Sequence, residues 1–306
     1  MSPKAVRLIY LAGDARSGST ILAALLGAAP GVVASGELNM LLDAIGGARM
    51  CACGRPVSEC SLWATVLERF RSELAPSGTD DYLALQERFT RIRAVPRLLL
   101  AARRRSPSFG RYSRWTAKLL EAIAAAAGAA IVADSAKNPV RALAILLGGQ
   151  VDVRLVHLVR DPRGVAWSKR KASRRSGWRQ WRRHGLVIAA RAALDWVVSN
   201  LATEAILASH PALPAIRIRY EDLAGDPEAA LRQIGRVVGI DLAPIGRMAA
   251  RGEVFPFGHI MAGNAARERG PSRIAIDMDW ETNSPRWMRR TVWLAAGWLA
   301  RRYGYR

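Results

Sequence analysis

One passage near the start of the chain limits the fold more than any other. Residues 6–12 (VRLIYLA) are a largely apolar, β-favouring run, which reads as a strand buried on both faces. GDARSGST (Gly13–Thr20) follows, and residues 19–28 (STILAALLGA) then read as a helix that starts near Ser19 and stops before Pro30. A Gly- and Ser-rich loop that opens a helix turns free backbone N–H groups and the positive end of the helix dipole toward an anion. Ser19 and Thr20 add hydroxyl donors. A plain strand–helix turn is the bland alternative; the glycine spacing, the hydroxyls and the strand context favour a phosphate cradle. The order departs from GxxxxGK[ST], the nucleotide triphosphatase loop, because Ser19 stands at the Lys position and the cation comes earlier, at Arg16.

Further apolar runs at 32–34, 130–134, 153–159 and 215–219 read as strands, with long helical stretches between them, notably 186–208. Strands that alternate with helices imply a parallel sheet covered on both faces. The expected fold is therefore α/β: a three-layer, P-loop-like domain with a central parallel sheet of about five strands. Residues 40–128 break the alternation and read as a helical insertion on that sheet, within a single domain spanning 1–306. Residues 169–185 (KRKASRRSGWRQWRRHG) are strongly basic, with Trp178 and Trp181, and read as a solvated lid. Residues 250–285 look loop-like, and 286–303 return to a helix.

A second anion signal lies at VRLVHLVRDPRGVAWS, residues 153–168. The strand ends at Arg160, on the carboxyl edge where open α/β sheets bind ligands. Ser168 follows two helical turns later, so both side chains can converge on one phosphate, with Arg160 as a charge-assisted donor. The alternative is that Arg160 pairs with Asp161 or a helix end and Ser168 is incidental.

These motifs resemble those of sulfotransferases that use 3′-phosphoadenosine 5′-phosphosulfate (PAPS). Arg16, Ser17, Gly18, Ser19 and Thr20 resemble the family's 5′-phosphosulfate loop, and Arg160 with Ser168 resembles its 3′-phosphate motif. DSAKNPVR (Asp134–Arg141) resembles the D-S-x-K-x-P segment of bacterial members, and IRYEDL (Ile218–Leu223) the strand-ending Y-E-D-L. GHIMAGNAARERG (Gly258–Gly270) resembles the late G-N-x-x-R loop over the 3′-phosphate, with Asn264 and Arg267 as its donors and Ala265 where Pro is frequent. The resemblance implies PAPS as donor, 3′,5′-ADP as product and no metal in the transfer. It places Arg16 where many relatives carry a catalytic Lys, Lys137 as a second cation near the sulfuryl group, and Glu37 of ASGELN as the base. A His base cannot be placed among His157, His184, His210 and His259, and His157 reads as a core residue inside a strand. The acceptor is a hydroxyl of a small molecule, a sugar or a lipid, which the sequence does not distinguish.

Composition bounds the rest. Half of the 306 residues are hydrophobic, which excludes a disordered chain, and neither collagen triplets, sustained heptads nor solenoid repeats occur. The formal charge is +21, from 46 Lys and Arg against 25 Asp and Glu. Lys4, Lys118, Lys137, Lys169 and Lys171 are the lysines, so the excess is almost all Arg. It fits an anionic ligand, a nucleic acid or an anionic membrane surface, and equally a solvated arginine-rich surface. A P-loop kinase is disfavoured by the missing loop Lys and the lack of an evident Mg²⁺-binding acidic pair. A nucleic-acid binder would leave the Arg160–Ser168 spacing unexplained, so no nucleic-acid partner is expected. No apolar run reaches the length of a membrane span and no signal peptide is evident, so a cytoplasmic location is expected. Cys51, Cys53 and Cys60 form C-x-C-G-x₅-C, with Trp63 following. Zinc wants four ligands and there is no fourth Cys; buried thiols or a disulfide that order the insertion are the favoured reading, with no metal site.

Overall fold

The computed structural model describes residues 6–46, 49–263, 270–271 and 273–306, without the side chains of 45–46 and 173–184. Its centre is a five-stranded sheet of β1 (Arg7–Ala12), β2 (Val32–Gly36), β3 (Ile131–Lys137), β4 (Asp152–Val159) and β5 (Ala215–Arg219). All neighbours are parallel, in the order β2-β3-β1-β4-β5. The expected α/β class and sheet are thus present. Successive side chains on a strand face opposite sides, and β1 shows the result. Leu8, Tyr10 and Ala12 join one core, while Ile9 and Leu11 join the other. A strand covered twice needs apolar residues at every position, which is why VRLIYLA does not alternate.

The helices divide between the two faces. α1 (Ser19–Gly27) packs beneath the Ile9–Leu11 side, against β2 and β3. Between β2 and β3 come α2 (Leu41–Gly46), α3 (Ser61–Leu74), α4 (Thr79–Thr90), α5 (Val95–Arg103) and α6 (Pro107–Ala127). They fill the region expected as a helical insertion and pack on the Leu8–Tyr10 side, where Trp63, Phe70, Tyr82, Phe89 and Tyr112 share one core with strand residues. α7 (Pro139–Gly148) joins them on that face.

α8 (Pro162–Ser209) corrects the expected lid loop: it is one helix of 48 residues whose backbone includes 169–185. The charge of that segment suggested solvent, but Ala, Arg, Lys and Gln are good helix formers and no Pro interrupts them. Gly177 and Gly185 each cost about 1 kcal/mol in a helix, too little to break so long a run. Asp161 caps α8, accepting the Arg163 N–H at 2.8 Å, with Pro162 at the first helical position. Gly185–Ser209 is long and apolar enough to cross a membrane by length and composition. In this fold its Ala189, Trp196, Asn200 and Thr203 are buried, and α8 packs along the last helix. After β5 come α9 (Tyr220–Gly225), α10 (Pro227–Val238), α11 (Ala243–Ala250), α12 (Asp279–Asn283) and α13 (Arg286–Arg302). α10 and α11 cover the Ile9–Leu11 face beside α1.

Candidate active site

The carboxyl ends of the strands open onto a cavity of about 470 Å³. Each strand contributes to it through the residues that follow. Arg16, Gly18, Ser19 and Thr20 come after β1, Glu37 after β2, Lys137 from the end of β3, Arg160 after β4 and Tyr220 after β5. Ser168 reaches it from α8, and Gly263, Arg273, Ala275 and Asp277 close its remaining side. Of the residues expected at the site, only Ser17 among those described is not in the wall. It is almost fully buried, and its Oγ has no partner among the described residues. Asn264 and Arg267 lie outside the described residues.

The first loop is shaped by its backbone. Gly13 (φ 134°) passes so close to β4 that a Cβ would stand 2.3 Å from the Leu158 carbonyl oxygen. Gly18 (φ 92°) is the N-cap of α1, and a Cβ there would stand 2.5 Å from the Tyr220 ring. Arg16 takes a left-handed conformation (φ 71°) despite its side chain. Lys137 does so as well (φ 61°). Such non-glycine positions carry strain, and strain of this kind collects at functional sites.

Glu37 and Lys137 form an ion pair, with Nζ 2.5 Å from Oε1 and both side chains largely screened from solvent. Asp134 sets their geometry from below. Its carboxylate is buried and accepts the Leu38 N–H at 3.3 Å and the Ala136 N–H at 2.8 Å, which fixes the chain next to each partner. Burial raises the Asp134 pKa, while Arg141, paired at 3.4 Å, and the two amides oppose the rise. Asn138 caps α7 by accepting the Val140 and Arg141 N–H groups at 3.0 and 3.1 Å. The DSAKNPVR segment is thus mostly scaffold, and Lys137 is the side chain it delivers to the cavity.

Arg160 is held by both backbone carbonyls and side chains. Its guanidinium donates to the Asp277 carbonyl at 2.7 Å and the Arg16 carbonyl at 3.2 Å, pairs with the Asp277 carboxylate at 3.2 Å, and lies 4.5 Å above the Tyr220 ring centre. The alternative pairing with Asp161 does not occur, because Asp161 pairs with Arg163 at 2.6 Å. Tyr220 Oη donates to the Ala275 carbonyl at 2.8 Å and accepts the Asp277 N–H at 3.3 Å. Burial, opposed by the Arg160 charge, raises the Tyr220 pKa, so the phenol stays neutral. Lys169 on α8 grips Asp14 of the first loop at 2.7 Å; burial raises the Asp14 pKa and Lys169 works against that rise.

Tyr220, Arg273 and Asp277 were missed as site residues. Tyr220 stood in a recognised segment, and its position at a strand end was the available signal. Arg273 and Asp277 lie in a stretch that reads only as loop, and nothing local points to them. Among the histidines, His157 is fully buried, with Nε2 2.8 Å from Asn200 Oδ1, and burial pushes its pKa down to about 4. It is a core residue, as the sequence suggested. His210 and His259 do not line this cavity, and the side chain of His184 lies outside the described residues.

The arrangement concentrates cations and helix-opening amides in a buried mouth beside two carboxylates, Glu37 and the Arg160-paired Asp277. It can hold a multiply charged anion and take a proton from a group bound next to it. Known proteins agree with that chemistry at the level of family. No curated protein matches the chain. The sulfotransferase domain of a Synechococcus olefin synthase shares the fold, at 17% identity and TM-score 0.51 over 98% of this chain and 97% of its own. A sulfotransferase from Mycobacterium tuberculosis aligns at 17% identity and TM-score 0.48 over 80% of this chain and 70% of its own. A sequence model described as the sulfotransferase family matches residues 9–244, most of the sheet and both phosphate motifs, and the chain belongs to that family.

Proposed function

We propose that this protein moves a sulfuryl group from PAPS to the hydroxyl of an acceptor. The observation that carries the reading is the convergence of Arg16, Ser19, Thr20, Lys137, Arg160 and Ser168 on one cavity that also presents Glu37. The buried, unpartnered Ser17 hydroxyl and the strained Arg16 backbone fit a loop shaped around an anion. On this reading the Arg16–Thr20 loop holds the 5′-phosphosulfate, and Arg160 with Ser168 holds the 3′-phosphate. Arg160 then exchanges its Asp277 carboxylate contact for phosphate oxygens.

Transfer follows from the positions around Glu37. The acceptor hydroxyl gives its proton to a Glu37 carboxylate oxygen as its own oxygen bonds to sulfur. The bond from sulfur to the bridging phosphate oxygen breaks in line with that attack, and 3′,5′-ADP leaves with the electron pair. Charge grows on the bridging oxygen, where Arg16 and Lys137 stabilise it. Arg16 acts only as a charge, because a guanidinium does not give up its proton near neutral pH. No step requires a metal ion.

A second, more open cavity of about 640 Å³ includes Asn39 and Asn138, near neighbours in sequence of Glu37 and Lys137. Gln86, Thr90, Arg91 and Arg93 of the insertion face Val198 and Ser199 of α8 across it. We assign the acceptor to this cleft, whose lining mixes polar side chains with Ile92, Pro139, Val140 and Val198. A cytoplasmic enzyme remains the reading for location, with the partly buried α8 packed along α13.

Calorimetric titration with 3′,5′-ADP and with ATP, without added metal, tests the donor assignment. Micromolar binding of 3′,5′-ADP with much weaker ATP is the expected result. No binding, or a Mg²⁺-dependent preference for ATP, would reopen the kinase reading.

A further inference from the structure

Away from the donor cavity, the insertion meets the late loop at four side chains. Cys51, Cys53 and Cys60 stand within a short stretch before α3, and His259 comes 199 residues after Cys60. One ligand atom from each lies within 4.8 Å of every other. His259 Nδ1 is 3.2 Å from Cys60 Sγ and 4.0 Å from Cys51 Sγ. All three cysteines are free thiols; Cys51 and Cys60 are buried and Cys53 is exposed.

We propose that Cys51, Cys53, Cys60 and His259 bind one zinc ion, which fastens the insertion to the segment ending at Gly263 in the wall of the donor cavity. A tetrahedral zinc with Zn–S near 2.3 Å and Zn–N near 2.0 Å sets its ligand atoms roughly 3.5–3.8 Å apart, and the four atoms here need only small shifts to reach that. Three sulfurs and one imidazole make a full structural set with no position left for water. Gly54, at φ 88°, reverses the chain so that its N–H donates to the Cys51 carbonyl at 3.0 Å while the Cys51 N–H donates to the Arg55 carbonyl at 2.8 Å. Met50 and Pro56 bridge across this turn. On binding, the three thiol protons pass to solvent and the histidine stays neutral.

Neither a thiol–imidazole pair nor a disulfide accounts for the whole cluster. A nucleophilic pair needs one sulfur, and a disulfide needs two. Here three sulfurs converge on the one ring nitrogen that faces them. The surroundings show what the ion would secure. Trp63 Nε1 donates to the His259 carbonyl at 2.9 Å, and the Ala52 N–H donates to the Ile260 carbonyl at 3.0 Å. Beyond them, Ala262 crowds Gly36, where a Cβ would stand 2.8 Å from the Ala262 carbonyl oxygen, and Gly263 crowds Thr20. A zinc at residue 259 therefore anchors the strap that presses on both the Glu37 turn and the phosphate loop. The sequence hid this site because its fourth ligand is far from the cysteines and is not a cysteine.

Elemental analysis of the full-length protein as purified tests the proposal without any activity assay. One zinc per chain, no iron and no acid-labile sulfide is the expected result. Cobalt exchanged into the wild-type protein should give the intense visible bands of a tetrahedral thiolate site. His259→Ala should weaken zinc binding by about 100-fold or more, the scale of losing one ligand of four, whereas His210→Ala should leave it unchanged. Because removal of a ligand can unfold the insertion, His259→Cys is the companion variant: it should keep one zinc and shift the cobalt bands. A wild-type chain that carries no zinc and takes up none from micromolar zinc overturns the proposal. So does a Cys51–Cys60 disulfide in the purified protein, an iron–sulfur cluster, or His259→Ala binding zinc as tightly as wild type.

Discussion

The two halves of the donor cavity are built by different means. The Gly13–Thr20 half works through its main chain: glycines at forced dihedral angles, a helix opening and one strained arginine. The Arg160 half presents a side chain, one guanidinium held by the Asp277 carboxylate, the Tyr220 ring and the Asp277 and Arg16 carbonyls. A backbone cradle is rigid before its ligand arrives. A side-chain clamp has partners to exchange, so it can release one anion contact for another. Donor grip and donor chemistry are thereby separable, and variants can show it.

The largest loss should fall where the halves meet. Glu37→Gln removes the proposed base while keeping its shape, and turnover should drop about 10³-fold with 3′,5′-ADP affinity little changed, as steady-state rates and calorimetry would show. Equal losses in both would make Glu37 a binding residue. Arg16→Ala should lower turnover about 10²-fold and spare most of the binding. Arg160→Ala should do the reverse, weakening 3′,5′-ADP roughly 50-fold, the worth of one or two charge-assisted hydrogen bonds. Equal and small effects from both arginines would remove the distinction and the site assignment with it. Gly18→Ala attacks the backbone half and presses on Tyr220 of the other. The positive φ and the Tyr220 ring leave no room for a Cβ, so unfolding stability should fall by about 3 kcal/mol, measurable by denaturant titration.

The smallest effect concerns the support beneath Arg160. His157 pairs with Asn200 on α8, stacks edge-on to Tyr303, and has its pKa pushed down from 6.5 to about 4, chiefly by burial and also by the Arg217 charge. Because the folded pKa is the lower one, the unfolded chain takes up the proton first, and stability falls as pH drops from 6.5 toward 4. Between pH 7 and pH 5 this group should cost about 2 kcal/mol. His157→Gln should remove that part of the slope. Buried Asp134 and Asp14, whose pKa values are raised, act in the opposite sense, so the comparison must be with the variant and not with a flat line.

The same contrast explains what could be read from sequence. The cradle was legible because forced backbone leaves a local signature: glycines at set spacing, a strand before and a helix after. Arg160 and Ser168 were legible for a similar reason, being two turns apart at one helix opening. Asp277 and Arg273 were not, since a loop that packs across the sheet edge carries no periodicity and its partners are set only by the finished fold. α8 was misjudged at 169–185 because net charge was weighed above helix propensity. The strands were found through apolar runs, a direct outcome of burial on both faces.

The order of the sheet has a consequence for synthesis. β1 is central, yet both of its neighbours come much later in the chain: Arg7 pairs with Ile131 and with Asp152. At the usual 5–20 residues per second, that separation is roughly ten seconds of translation. For that interval the ribosome presents VRLIYLA and the apolar face of α1 with no sheet to receive them. Nascent chains therefore carry a sticky segment until β3 and β4 have both been made, and long-range parallel pairing is slow even then. Soluble yield in a host should respond to chaperone supply and elongation rate more than to the stability of the finished protein.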